Sequence, residues 1–313
     1  MANKKNSTGQ SLHKKNYAKY IPLYIMALPG LLYLFINNYM PMPGLVLAFK
    51  KYNASKGIWG SEWIGFKNFK YLFATHDAFI ITRNTILYNV AFIIIGTISS
   101  ITVAIILSEL HHRIKKFYQS VILLPFMISM VIVSYLAFGF LSTDNGFINN
   151  SILKPLGIDP ISWYMEKKYW PFILIFINTW KGIGYSCIIY LAAIIGFDRS
   201  VYESSAIDGA TKWQQIRKIT IPLLKPTIIM LTLLAVGRIF YSDFGLFYQV
   251  PQNQGALFSV TNTIDTYVYR GLLQLGDIPM TSAAGLYQSF VGFILLITVN
   301  QIIRKIEPDN ALF

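Results

Sequence analysis

Four stretches of this chain, 20–49, 84–108, 117–143 and 278–303, run for 25 residues or more without a single charge. A run of about 20 apolar residues is what a helix needs to cross a bilayer, and in lipid the backbone must satisfy its own hydrogen bonds, which a helix does. Two further runs are interrupted: 169–197 carries Lys181, and 226–250 carries Arg238 and Asp243. The expectation is an all-α integral membrane protein with six transmembrane helices, at about 20–40, 84–108, 119–141, 170–196, 226–248 and 280–303. Pro41 and Pro43 end the first of these near Met40. Charged residues are 13% of the chain, against about 25% for a soluble domain, and the loops are too short to hold a soluble domain.

The basic tail 1–19 precedes a first span too long for a secretory leader and without a small-residue cleavage site, so the span is read as an uncleaved helix. With the N-terminus inside, fifteen Lys and Arg flank the spans on the cytoplasmic side and ten on the outside. That asymmetry places both termini, including the tail 304–313, in the cytoplasm. Trp59, Trp63, Tyr164, Tyr169 and Trp170 fall where an outer aromatic belt would lie. The net charge of +13 then belongs to cytoplasmic loops facing anionic lipid headgroups, and nucleic acid is not expected as a partner.

Catalytic chemistry has no residues to stand on. A single cysteine, Cys187, excludes an internal disulfide and a cysteine metal cluster; within a span it reads as a small packing residue. No phosphate-binding G-x-x-x-x-G-K-[ST] loop, H-E-x-x-H or G-x-S-x-G occurs. His111 and His112 are adjacent, so they point apart on a helix and make a poor metal pair. The chain is expected to be no enzyme and to hold no cofactor or metal of its own.

The segment 198–225, between the fourth and fifth spans, is polar but patterned. Tyr202, Ala206, Ala210 and Trp213 recur at helical spacing, as do Ile216 and Ile219. Gly209 interrupts them where a sharp change of direction is needed, and Pro222 and Pro226 mark the entry to the next span. The pattern predicts two short amphipathic helices set at an angle, a shape suited to a groove on a soluble partner.

Glu203-Ser204-Ser205, three residues, Gly209, nine residues, then Ile219-Thr220-Ile221-Pro222 resembles the E-A-A-x3-G-x9-I-x-L-P signature of permease subunits of binding-protein-dependent ABC importers. Ser204 and Ser205 stand for the two alanines and Ile221 for leucine. LPGLLYLFINNYMPMPGLVLAFKKYN, WIGFKNFKYLF, NTIDTYVYRGL and SAAGLYQSFVGFILLITVN resemble the carbohydrate-type permeases, within them the oligosaccharide and polysaccharide subgroup. The resemblance covers nearly the whole chain and implies the type I ABC importer permease fold in a bacterial plasma membrane. It also implies a second homologous permease forming a heterodimer, two cytoplasmic ATPase subunits that hold ATP and Mg, an extracytoplasmic sugar-binding protein and an oligosaccharide substrate. By the same resemblance Glu203, Ser204, Ser205, Asp208, Gly209, Ala210, Trp213, Ile219 and Pro222 dock and couple to an ATPase.

An ionisable group within a span costs about 2.5–3.5 kcal/mol on insertion scales and therefore faces protein or water. Lys181, Arg238 and Asp243 lie at similar depths if their spans are continuous helices. They either bridge one another, as Arg238–Asp243 or Lys181–Asp243, or line a polar substrate pathway with Trp180, Tyr185 and Tyr241, whose rings suit the C–H faces of sugars. Rival readings are a permease of the same architecture for peptides or amino acids, an assembly protein that merely anchors an ATPase, and a secondary transporter. The last would show broken half-helices or internal repeats.

Overall fold

The computed structural model describes residues 20–306, with His112 and Ile306 described by backbone alone. The tail 1–19 and the end of the C-terminal tail lie outside the described residues. The chain divides into two units, Met1–Val46 and Leu47–Phe313. In the first, helix α1 spans Ile21–Leu34, begins with a proline where the missing N–H costs nothing, and runs on through a π-helical turn, Phe35–Tyr39. It stops where Pro41 and Pro43 require.

The second unit opens with a small module. Strand β1 (Lys50–Lys51) and helix α2 (Gly57–Gly60) precede β2 (Glu62–Trp63), which pairs antiparallel with β1, and α3 (Lys67–Ala74) follows. Lys50 Nζ closes the module by donating to the Ile58 and Trp59 carbonyls (3.0 and 2.9 Å). Then come α4 (His76–Glu109), α5 (His112–Met127), α6 (Met130–Leu141), α7 (Trp170–Ile195), α8 (Arg199–Ile207), α9 (Lys212–Gln215), α10 (Ile221–Val236), α11 (Phe258–Thr261), α12 (Ile264–Leu273) and α13 (Ile278–Ile306). Among the described residues, five helical segments are long and apolar enough to cross a membrane, or six when the bent pair α5–α6 counts as one span. This agrees with the all-α, six-span expectation, although α4 starts eight residues before the apolar run it contains.

Helix α7 is the axis of packing: α4 lies along it and α5 crosses it. Gly184 makes the crossing possible, since a Cβ there would sit 2.1 Å from the Ile122 carbonyl oxygen; small residues let membrane helices approach this closely. Cys187 is buried with Ala104, Leu107, Tyr190, Leu191 and Leu224, the packing role expected of it. Trp170 departs from the expected aromatic belt. It is 0% exposed, packs in the core with Leu174 and Phe247, and donates its indole N–H to the Trp163 carbonyl (2.7 Å).

Two spans expected to be continuous are broken. The third bends by 93° between α5 and α6. Pro125 weakens the end of α5, and Ser129 caps α6 through the Ile132 N–H (3.4 Å). The fifth leaves the helix after Val236, passes through a non-helical stretch, and resumes as a π-helical turn, Gly245–Gln249. The Asp243 carboxylate caps that turn by accepting the Leu246 N–H (3.1 Å). Both breaks have local signals, a proline or glycine followed by a capping residue, which uniform hydropathy conceals.

Candidate functional site

The break between α5 and α6 leaves carbonyls at the end of α5 short of intrahelical partners, Pro125 keeping only the Ile128 N–H (3.3 Å). Lys181 supplies them. Its Nζ donates to the oxygens of Pro125 (3.2 Å), Phe126 (2.9 Å) and Ile128 (2.5 Å). An ammonium has three N–H donors, so all are used, and a cation at a helix C-terminus is also favoured by the helix dipole. One turn on, Tyr185 stacks on Phe126 (ring centroids 5.0 Å, 15°). Lys181→Met keeps the side-chain volume and removes every donor. The Pro125 carbonyl keeps the Ile128 N–H, but the Phe126 and Ile128 carbonyls lose their donor, at about 1–3 kcal/mol for each that lipid leaves unsatisfied, so this variant should unfold several degrees below the wild type in a thermal melt of the purified protein. A melt unchanged by Lys181→Met would show that the helix end is held by other groups.

Neither expected bridge forms among the described residues: Lys181 is committed to carbonyls, Asp243 to a helix cap, and the Arg238 side chain has no hydrogen-bond or ion-pair partner. Arg238 and Asp243 do not share a helix at all, because both lie on the unwound stretch after Val236. There they line a polar cavity of about 630 Å³ between α4, α7 and α10. Tyr185 and Tyr241 line it too. Lys181 and Trp180 do not; Trp180 packs against the apolar cluster around Leu174 and faces a separate, apolar groove. The cavity adds residues that the sequence reading missed, chiefly Asn89, Asn178, Ser186 and Ser242. Asn89 and Asn178 carried a signal, being amides inside apolar runs. Ser100 and Thr179 also line it, and their buried hydroxyls have no hydrogen-bond partner among the described residues.

The second site is the loop 198–225. Asp198 caps α8 by accepting the Ser200 N–H (2.9 Å), a bond that holds its carboxyl below the usual carboxylate range, with the Ser200 hydroxyl contributing second. The chain turns at Gly209, whose φ of +79° is left-handed. Thr211 and Gln214 then cap α9 reciprocally (2.8 and 3.3 Å). The two helices are tied together by Gln215, which donates to Ser205 Oγ (2.9 Å) and the Tyr202 carbonyl (3.2 Å), and by Tyr202 Oη beside Thr220 Oγ1 (3.0 Å). Lys212 pairs with Glu109 at the end of α4 (2.8 Å).

The bent pair of short helices is thus as expected, but the apolar face is not. Tyr202 and Ala210 turn inward, whereas Ala206 and Trp213 are exposed. With Trp213 at 67% and Ile207 at 87% exposure, the loop displays large apolar side chains beside the exposed Glu203, Ser204 and Asp208. Ser205 faces the inner network, Ile219 is half-buried, and Pro222 occupies the first turn of α10.

Residues 78–308 match the family of binding-protein-dependent transport system inner membrane components. The chain belongs to that family. The permease is 34% identical, over 98% of its own length and 94% of the relative's, to the polygalacturonan/rhamnogalacturonan transport system permease protein YteP of Bacillus subtilis. Among solved structures, a bacterial ABC transporter involved in import of the acidic polysaccharide alginate superposes with a TM-score of 0.85. Its identity is 32%, and 94% of this chain and 98% of that chain are covered. A bacterial alginate ABC transporter in complex with an alginate pentasaccharide-bound periplasmic protein gives 0.83, at 32% identity over 93% and 97%. The broken helices expected above of a secondary transporter therefore occur in an ABC importer permease, and the break in the fifth span carries Arg238, Tyr241, Ser242 and Asp243 of the cavity.

Proposed function

We propose that the permease forms half of the pathway through which an ATP-driven importer moves carboxylate-bearing oligosaccharides. The observation that carries this is Arg238, a cation in the polar cavity with no protein partner among the described residues. A guanidinium is charged at any physiological pH and forms paired hydrogen bonds to a carboxylate. The unpartnered hydroxyls of Ser100 and Thr179 and the amides of Asn89 and Asn178 suit sugar hydroxyls, and Tyr185 and Tyr241 suit C–H faces. The names of its relatives, acidic polysaccharide transporters among them, point the same way.

In this reading a second permease supplies the other half of the pathway, and an extracytoplasmic binding protein delivers the sugar. Two ATPase subunits, which bind ATP and Mg, dock on the loop 203–222. Their closure moves that loop and rocks the later spans between inward-open and outward-open states. The test is uptake by vesicles holding the reconstituted complex. Radiolabelled oligogalacturonate should accumulate with ATP and its binding protein, and a neutral oligosaccharide of equal length should compete poorly. Equal competition by the neutral sugar would overturn the anionic preference, and ATP-independent accumulation would overturn the importer reading.

Topology is separately testable. In a Cys187→Ser background, single cysteines at Lys154 and Gln252 should react with a membrane-impermeant maleimide on intact cells, and cysteines at Lys212 and Lys305 should not. Labelling at Lys212 from outside would reverse the orientation and remove the ATPase-docking role.

A further inference from the structure

The stretch after Val236 has left the helix; local turns take the N–H groups of Gly237, Arg238, Ile239 and Tyr241, and the backbone groups that remain at 240–242 find partners on α4, α12 and α13. Asp265, in the first turn of α12, accepts the Ser242 N–H and the Ser242 hydroxyl at Oδ2 (2.7 Å each). Its Oδ1 accepts from Gln288 Nε2 (3.1 Å), which also donates to the Phe240 carbonyl (2.6 Å). Asn89 of α4 donates to the Tyr241 carbonyl (3.1 Å). Three consecutive residues of the unwound wall, 240–242, are therefore pinned, and Asp265 is the acceptor at the centre. It forms no ion pair among the described residues; its charge faces hydrogen-bond donors and the α12 N-terminus, both of which favour it.

The other end of α12 is anchored as firmly. Arg270 is 8% exposed. Its guanidinium donates to Asn253 Oδ1 (2.7 Å), Thr266 Oγ1 (3.0 Å) and Asn262 Oδ1, and lies 4.1 Å from the centre of the Phe258 ring. Burial pushes its pKa down to about 10, so it stays charged at neutral pH. Asn253 and the preceding Gln252 both have left-handed φ, 50° and 52°, a conformation that surrounding contacts must hold. One helix thus grips the loop 250–262 with a buried cation and the cavity wall with a carboxylate.

We propose that α12 is a strut: Asp265 is a positioning residue that fixes the unwound segment presenting Arg238, Tyr241 and Asp243 to the cavity, and Arg270 ties the helix that carries Asp265 to the loop 250–262. The strut rests on the cavity reading above only for its effect on transport, and its mechanical part is testable without any sugar.

The experiment is alkylation of single cysteines by N-ethylmaleimide in the assembled complex, in a Cys187→Ser background. Tyr241→Cys reports the pinned wall, and Asn178→Cys on α7 reports the opposite wall. Local opening controls such rates. Asp265→Ala should raise the rate at position 241 by about fivefold and leave position 178 unchanged. Asp265→Asn, which keeps an oxygen for Ser242, should raise it by about twofold and serves if the alanine variant does not assemble. Arg270→Gln should also raise the rate at 241. An unchanged rate at 241 in the Asp265 variants, or equal increases at 241 and 178, would overturn the positioning role. An Arg270→Gln effect on a cysteine at Gln252 with none at 241 would overturn the strut. In uptake, Asp265→Asn should lower the maximal rate without changing the binding-protein concentration for half-maximal transport. A shift in that concentration alone would place Asp265 in docking instead, against the proposal.

Discussion

In a complex carrying Gly209→Val, ATP hydrolysis should no longer respond to the loaded binding protein, although the permease still assembles. Nothing lies within 4 Å of the position a Cβ would take at Gly209, so the defect is not a clash. It comes from the backbone: φ is +79°, and a β-branched residue held in the left-handed region costs about 1–3 kcal/mol. The turn is built on that conformation, with the Gly209 and Ala210 N–H groups bonded to the Ala206 and Ser205 carbonyls (3.1 and 2.9 Å). The valine variant relieves its strain by opening the turn, which changes the angle between α8 and α9 and the display of Ile207 and Trp213. Gly209→Asn is the control, because asparagine accepts the left-handed region, and it should retain most of the stimulation. Glu203→Ala should act in the same direction more mildly. If Gly209→Val vesicles hydrolyse ATP with wild-type stimulation, the bend has no part in coupling.

Arg238→Gln should lose uptake while leaving assembly intact, and adding Asp243→Asn should not restore it. The two side chains make no bridge, and Asp243 caps the turn Gly245–Gln249 instead, so removing the second charge has nothing to repair. Because charge-assisted hydrogen bonds are roughly twice as strong as neutral ones, uptake of an anionic oligosaccharide should fall further than that of a neutral one of equal size. Recovery of full transport in the double variant would show that the pair is architectural, and the sugar contacts would then rest on Tyr185 and Tyr241 with the cavity amides. Lys181 is a different case. Its donors are spent on the end of α5, so a transport defect at that position should come with a stability defect, as one at Arg238 should not.

What could be read in the chain was whatever depends on neighbours in sequence. Six apolar runs follow from the length a helix needs in lipid. The bend at Gly209 follows from a glycine between two helical patterns, and the inert packing of Cys187 from its place in an apolar run. The motif Glu203–Pro222 is likewise legible because it is contiguous. The cavity is not contiguous, and there the reading divided. Arg238, Asp243, Tyr185 and Tyr241 were singled out because a polar or aromatic residue in a span needs a reason and they line the cavity, whereas Trp180 and Lys181 were grouped with them for the same reason and line no part of it.

Tertiary structure alone decided which partner each such group meets. Lys181 finds carbonyls more than fifty residues away in sequence, and Trp170, expected at an interface, fills the core. Asp265 and Gln288 hold a backbone that only becomes needy once the fifth span unwinds. Hydropathy sums over a window and registers that a segment prefers lipid to water. It does not register that a Pro125 or a Gly237 inside the window lets the helix break, because the cost of breaking it is met by donors and acceptors from other helices, which the local sequence does not contain.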